Sequence, residues 1–283
     1  MSGVSGIRYV GLFFNPRLPS SVELARRITS YNYGGADVCF VTDEENIHYC
    51  DMDFAISIGG DGTFLRTSRS IWGLGVPLYG INAGRLGFLA AGTAESATSD
   101  ICRILSGDYK IFQHIPLQGE AVRNGEVIGS VCALNDITVS KGFLSRAIDS
   151  LVSVGEDSIY RFLSDGIIVS TPTGSTAYAM SAGGPIVHPR VKCILVVPIC
   201  PHSLFPRPIV LGDGETVNIS IECCDYEAIL SGDGHQNMTL FAGDAVSVKL
   251  DADRGIDVIS IDESSYYDIL RRKMNWGWNG ETR

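Results

Sequence analysis

The chain lacks any run of 18 or more apolar residues, so no transmembrane helix is expected. Its start, Met1 to Gly11, has no basic segment leading into a long apolar stretch. No export signal is therefore expected, and a cytoplasmic location follows as the expectation. Paired cysteine motifs are also missing. The eight cysteines, Cys39, Cys50, Cys102, Cys132, Cys193, Cys200, Cys223 and Cys224, form no C-x-x-C pair. That argues against a zinc ribbon or a thioredoxin-like centre and for free thiols in a reducing compartment. Positive charge is scarce, with 22 Lys and Arg against 32 Asp and Glu, a net charge of −10. Such a field repels nucleic acid and anionic membranes, so neither is an expected partner. A phosphorylated ligand would need local help from backbone N–H groups, a helix N-terminus, a basic side chain or a metal ion. The sequence contains no G-x-x-x-x-G-K-S/T loop, G-x-G-x-x-G fingerprint, H-E-x-x-H or G-x-S-x-G. P-loop NTPase, ordinary Rossmann dehydrogenase, zincin and α/β-hydrolase readings lose weight accordingly.

Glycine is what the chain has in excess, 32 of 283 residues. That is roughly 11% against an average near 7%, and it points to tight turns or close backbone approach to a ligand. The first third alternates strand and helix signals. Apolar runs at Ile7–Phe14, Ala36–Val41, Phe54–Ile58 and Val76–Ile81 predict strands. Helical patterns lie between them, one with Ser20 as its expected cap, one over Gly62–Ile71 and one near Glu95–Leu105. This order predicts a parallel sheet with helices on its faces. After about residue 110 short strand-like runs dominate. They include Val127–Ala133, Ile167–Ser170, Ile194–Val197, Val217–Glu222 and Ala245–Leu250, with turn signals at Asp165-Gly166, Asp213-Gly214 and Asp233-Gly234. The fold expected is an N-terminal α/β half up to about residue 110 and a mostly β, sandwich-like half after it, with a final helical stretch over Ser264–Lys273 followed by Trp276 and Trp278.

Two constellations carry chemistry. Gly59-Gly60-Asp61-Gly62-Thr63 follows an apolar strand and opens a helix. In an open parallel sheet ligands bind at the carboxyl ends of strands, and glycines there admit phosphate oxygens to the backbone. A carboxylate repels phosphate, so Asp61 fits better as a group that handles a hydroxyl proton or a magnesium ion. The alternative is a plain strand-to-helix turn with Asp61 as N-cap. The second constellation is the stretch from Ser164 to Pro185. The hydroxyls of Thr173, Ser175, Thr176, Tyr178 and Ser181 cluster there and can hydrogen-bond a base, ribose hydroxyls or phosphates, the alternative being a capped β–α junction with solvated hydroxyls. Asn135-Asp136, Gly80-Ile81-Asn82 and Pro201-His202-Ser203 with Arg207-Pro208 each read alone as turns. His48, His114 and His188 have no partner pattern.

Together and in this order, these segments resemble the NAD kinase family. The matching stretches also include Leu86-Gly87-Phe88-Leu89 and Ser231-Gly232-Asp233-Gly234. The resemblance implies transfer of the ATP γ-phosphoryl to the 2′-hydroxyl of the adenosine ribose of NAD, with magnesium or another divalent metal accompanying ATP. It implies an N-terminal α/β parallel-sheet domain over 1–110 plus 260–283, a C-terminal all-β sandwich over 111–259, a last helix that packs back on the first domain, and a homodimer or homotetramer. Carried over, Asp61 is the catalytic base, and Gly59, Gly60 and Thr63 form the phosphate loop. NAD-binding positions are Asp61, Gly62, Asn135, Asp136, Arg146, Asp165, Thr176, Ala177, Tyr178, Ala179, Met180, Ser181, Cys200 and His235. No protein metal ligand is expected. Asp136 is one methylene shorter than the family's usual Glu, His235 replaces a frequent Gln, and Leu163 stands where some members have an arginine. Lipid kinases of the diacylglycerol type share the Gly-Gly-Asp-Gly-Thr loop, and a non-catalytic NAD-binding regulator is the other alternative.

Overall fold

The computed structural model describes residues 8–41, 51–84, 87–261 and 266–276. Ile7, His48, Cys50, Leu86, Ser264 and Trp278, named above, lie outside them. The chain divides into two compact units, Met1–Gln113 with Ile256–Arg283, and His114–Gly255.

The first unit contains β1 (Arg8–Phe14), α1 (Pro19–Ser30), β2 (Val38–Val41), β3 (Phe54–Gly59), α2 (Asp61–Ser70), β4 (Leu78–Asn82), β5 (Gly92–Thr93), α3 (Ala97–Leu105) and β6 (Lys110–His114). Its sheet runs β2-β1-β3-β4-β19-β6, with β5 on β4 and with β19 (Ile256–Ser260) supplied from the far end of the chain. β1 pairs in parallel with β2 and β3, and β4 in parallel with β3, β5 and β19. A parallel strand covered on both faces needs an unbroken apolar run. β3 (Phe-Ala-Ile-Ser-Ile-Gly) meets that need and is buried along its whole length. Every second residue of the central strands, Val10, Leu12, Phe54, Ile56, Ile58, Tyr79 and Ile81, points to one core with Leu24, Ala25 and Ile28 of α1 and Ile101 and Ile104 of α3. Each such side chain contributes about 1.5–3 kcal/mol by leaving water. The last helix, α5 (Tyr266–Met274), belongs to this unit and buries Leu270.

Ser20 does not cap α1. The helix starts at Pro19 after Leu18, without a side-chain cap. Proline presets the helical φ and has no N–H to satisfy, so it opens the helix two residues before a Ser20 cap would.

The second unit is a sandwich of two antiparallel six-stranded sheets. One runs β11-β10-β15-β18-β7-β8 and the other β14-β13-β12-β9-β16-β17. The elements are β7 (Leu117–Arg123), β8 (Glu126–Ala133), β9 (Asp136–Lys141), β10 (Ile148–Val154), β11 (Asp157–Ser164), β12 (Gly166–Ser170), the short helix α4 (Tyr178–Ser181), β13 (Cys193–Ile199), β14 (Ile209–Gly212), β15 (Thr216–Cys224), β16 (Ala228–Gly232), β17 (His235–Leu240) and β18 (Ala245–Leu250). β15 alternates buried and half-exposed residues, so Val217, Ile219 and Ile221 face the core. β12 is buried on both faces. Ile167 and Val169 enter the sandwich, whereas Ile168 joins Leu195, Val197 and Ala179 in a second apolar layer. That layer fixes the segment after β12 against the outer face of its sheet. Asp165-Gly166 is not a hairpin turn. It links β11 in one sheet to β12 in the other. Asp233-Gly234 is a tight turn, with φ of 49° and 70° at its two residues, as a two-residue hairpin demands.

Candidate active site

In the first unit, β3 ends at Gly59 and α2 begins at Asp61, with Gly60 as its N-cap. Asp61 is therefore not the cap. Its carboxylate turns to the loop after β4 and accepts the backbone N–H of Phe88 on Oδ2 and of Leu89 on Oδ1, both at 3.0 Å. Lys273 Nζ of α5 lies 3.6 Å from Oδ2 and 4.2 Å from the centroid of the Phe88 ring.

The loop that holds the carboxylate is itself held by Asn82, the last residue of β4. Its buried amide donates to the Ala90 carbonyl at 2.5 Å and accepts the Gly87 N–H at 3.2 Å. Glycines make this packing possible. A Cβ on Gly87 would collide with the Asp61 carboxylate, and one on Gly80 would lie 2.8 Å from Ala90 Cα. A Cβ on Gly59 would lie 2.8 Å from Thr63 Cβ, so the Thr63 side chain tucks against that glycine. Around Gly60 and Gly62, by contrast, no atom of the described residues beyond their chain neighbours and the backbone of α2 lies within 4 Å of where a Cβ would be. The loop is tight where it meets its own protein and open at the two glycines flanking Asp61. Unpaired N–H groups at the start of α2 and this open backbone suit an anionic group.

In the second unit, antiparallel pairing sets Ser170 opposite Asp136 and Gly166 opposite both Ser140 and Ile199. Asn135, Asp136 and Thr176 thus gather at one end of β12, and Asp165 and Cys200 at the other. Four strand steps separate the ends by about 13 Å. Asp233 organises the first end. Its carboxylate accepts the N–H groups of Leu134 (3.0 Å), Asn135 (2.8 Å) and Asp136 (3.3 Å), and its own N–H donates to the Asp136 carbonyl. The Asp136 carboxyl is 6% exposed. Burial, and then the Asp233 charge, push its pKa up to about 7, against the pull of the Tyr178 N–H. Tyr178 reaches toward both ends. Burial raises its phenol, with Cys200, Asp136 and Asp165 adding to the shift. Asp165 is paired with Lys141 Nζ at 2.8 Å. Arg146 is exposed on the loop after β9, Cys200 is exposed with a left-handed φ of 45°, and His235 is exposed on β17 opposite Gly232.

The hydroxyl cluster divides in two. Thr173 and Ser175 are buried and used internally. Thr173 Oγ1 bonds His114 Nδ1 at 2.8 Å, and Ser175 Oγ donates to the Pro172 and Val187 carbonyls and accepts the Val187 N–H. Burial lowers the pKa of His114 to about 4, so it stays neutral beside Thr173. Tyr178 and Ser181 are exposed, and Thr176, Ala177 and Met180 are half-buried. Ala179 differs from its neighbours in side-chain exposure. Its side chain is fully buried in the layer under Ile168 and Leu195, because the short helix must bury one face.

Asn82, Gly87, Asp233 and Lys273 were missed as site-builders. A signal existed for the first three, since they sit inside the motifs read above. Lys273 carried none, because its partner is distant in sequence. Among the described residues no three His, Cys, Asp or Glu side chains group as a metal cage, and no helix is long and apolar enough to cross a membrane.

Residues 41–109 match the family model of the ATP-NAD kinase N-terminal domain, and residues 134–254 match that of the ATP-NAD kinase C-terminal domain. The chain is 35% identical to the NAD kinase of Syntrophotalea carbinolica over 284 residues, covering 96% of this chain and 99% of that one. It is 41% identical to the NAD kinase of Thiobacillus denitrificans over 227 residues, 80% of this chain and 78% of that one. Its fold is that of the crystal structures of yeast NADH kinase complexed with NADH (TM-score 0.83, 24% identity, 98% of this chain and 89% of that one) and of an Archaeoglobus fulgidus NAD kinase in complex with ATP (TM-score 0.70, 24% identity, 95% and 99%). An anchored aspartate between open glycines, in a chain that matches both domain models and, in the Syntrophotalea carbinolica enzyme, a relative nearly end to end, leaves one assignment: the chain belongs to the NAD kinase family.

Proposed function

We propose that this chain transfers the γ-phosphoryl of ATP to the 2′-hydroxyl of the adenosine ribose of NAD, giving NADP and ADP. The observation that carries the reading is the Asp61 carboxylate, pinned by two backbone N–H groups between glycines with open space around them. A carboxylate offers about four lone-pair positions. Phe88 and Leu89 each take one through a hydrogen bond, and the Lys273 ammonium stands 3.6 Å from Oδ2, which leaves a lone pair on Oδ1 to accept a proton. As the ribose oxygen bonds to the γ-phosphorus, Asp61 takes the hydroxyl proton. The bond from the γ-phosphorus to the β,γ-bridging oxygen breaks, and ADP departs with the electron pair. The protein's share of phosphoryl transfer is positioning and charge neutralisation.

The assignments in the second unit rest on the same reading. Asn135 and Asp136 hold adenosine and ribose groups. Thr176 through Ser181 hold the dinucleotide, with Ala179 acting through its backbone, and Asp165, Ala177 and Cys200 lie toward the nicotinamide. A divalent ion enters with ATP as its phosphate complex, that is, as part of the substrate.

The reading extends to a homodimer or homotetramer in the cytoplasm. Phe143 (98% exposed), Leu144, Leu204 and Phe205 (89%) put large apolar groups in water on two loops, which a second copy would cover. The described cysteines are all free, as a reducing compartment leaves them.

The test is NADP formation from NAD and ATP–Mg²⁺ by wild-type protein and by Asp61→Asn. The variant keeps its fold and NAD binding and loses about 10²–10⁴ in turnover, the usual share of a general base. An Asp61→Asn enzyme at the wild-type rate refutes the assignment. NADP formed by neither protein refutes the activity.

A further inference from the structure

We infer that Lys273, in the last turn of α5, is a positioning residue for phosphoryl transfer, fixing the Asp61 carboxylate so that one oxygen lone pair stays available as base. The inference rests on the NAD kinase reading above and adds a residue to it. Its basis is a closed triangle of contacts within the first unit. The Phe88 N–H donates to Asp61 Oδ2, Lys273 Nζ lies 3.6 Å from that same oxygen, and Nζ sits 4.2 Å above the Phe88 ring. The ring face attracts the ammonium and the carboxylate draws it from another side, so two independent forces set its position. Both the Phe88 N–H and Lys273 act on Oδ2. Among the described residues Oδ1 accepts the Leu89 N–H alone and keeps its second lone pair.

The neighbouring side chains favour this role over a general surface charge. Arg271, on the same turn, is paired along its own helix with Asp268 at 3.1 Å. Lys273 instead reaches across to α2 and the loop after β4, with its side chain three-quarters covered. Among the described residues it is the one cation in ion-pair range of Asp61. The chain as a whole is strongly anionic. A fixed ammonium beside a carboxylate is thus the local counter-charge that a site receiving anionic phosphates requires.

The experiment uses the full chain and reads kcat, KM and melting temperature for Lys273→Met and Lys273→Arg, alone and in Asp61→Asn. Lys273→Met is expected to lower kcat about tenfold with KM for NAD and ATP within about threefold, the pattern of lost orientation and not of lost binding. Lys273→Arg restores the cation and recovers at least about a third of the wild-type kcat. In the Asp61→Asn background, Lys273→Met changes the residual rate less than about twofold, because the carboxylate it positions is gone. A wild-type kcat in Lys273→Met, no recovery in Lys273→Arg, or a full tenfold loss on top of Asp61→Asn each overturns the inference. A merely structural role would instead lower the melting temperature of Lys273→Met in step with its activity. Wild-type protein that makes no NADP defeats the kinase reading itself, which separates the two failures.

Discussion

Replacing Gly87 by alanine puts a methyl carbon where the Asp61 carboxylate already is. The added Cβ would lie 2.9 Å from Asp61 Cγ and 3.2 Å from Asn82 Oδ1, and closer still to Asp61 Oδ1. Carbon atoms rest about 3.5–4.0 Å apart, so the carboxylate must retreat by roughly 0.6–1 Å. Oδ1 sits 3.0 Å from the Leu89 N–H, and such a retreat takes that bond beyond useful range. A hydrogen bond to a charged group contributes about 1.5–3 kcal/mol, and overpacking a tight site costs about 1–3 kcal/mol. A displacement of this size at a reacting group lowers turnover about 10²-fold. The assay is initial-rate NADP formation beside a thermal melt, with Gly214→Ala as the control. Gly214 has open space around its would-be Cβ and needs no left-handed backbone, so alanine should be silent there. Gly87→Ala should lose about two decades in kcat and a few degrees in melting temperature. A Gly87→Ala enzyme indistinguishable from Gly214→Ala would refute the packing argument.

Two further outcomes follow from the second unit. Asp233→Asn tolerates the left-handed backbone but turns an amide N–H₂ toward one of the three N–H groups the carboxylate now serves, so it should cost about 1–3 kcal/mol in urea unfolding, and an unchanged midpoint would contradict the clamp. Burial and the Asp233 charge push the Asp136 carboxyl from its ordinary value of 3.8 up to about 7, so the fold favours its neutral form. Its stabilisation is full below about pH 4 and is lost as pH rises through about 7, a change on the order of 4 kcal/mol. Asp136→Asn should flatten the pH–stability curve over that window. An undiminished slope would mean that the carboxyl ionises freely in the fold.

Much of the architecture could be read from periodicity. The unbroken apolar run Phe54–Ile58 announced a buried parallel strand, and the alternation from Thr216 to Glu222 announced a half-buried antiparallel one. Both signals are local, because they follow from where each strand's two faces lie. The pairing of β19 with β4 is not local, and nothing near Val258 says that its neighbour is Leu78. The site divides the same way. The glycines and Asp61 stood out because a tight strand-to-helix passage needs them together. The hydroxyls from Thr173 to Ser181 looked alike in sequence, yet burial sorts them into those that tie the backbone and those left to face water. Lys273 read as one more polar position on a terminal helix, since only the folded chain brings it to Asp61.

The insertion of β19 between β4 and β6 has a consequence for biosynthesis. β6 is made early but bonds to the sheet only through β19, which leaves the ribosome after the whole sandwich. The second unit is one continuous segment and can fold while the first still shows an open edge on β4. Closing that edge is a long-range event, slow by nature, and it waits until residues 256–260 have been made. The ammonium of Lys273 arrives later still. A chain stalled or clipped just after residue 255 would therefore keep its glycine loop and its sandwich, yet be both prone to edge-to-edge association and deprived of the cation beside Asp61.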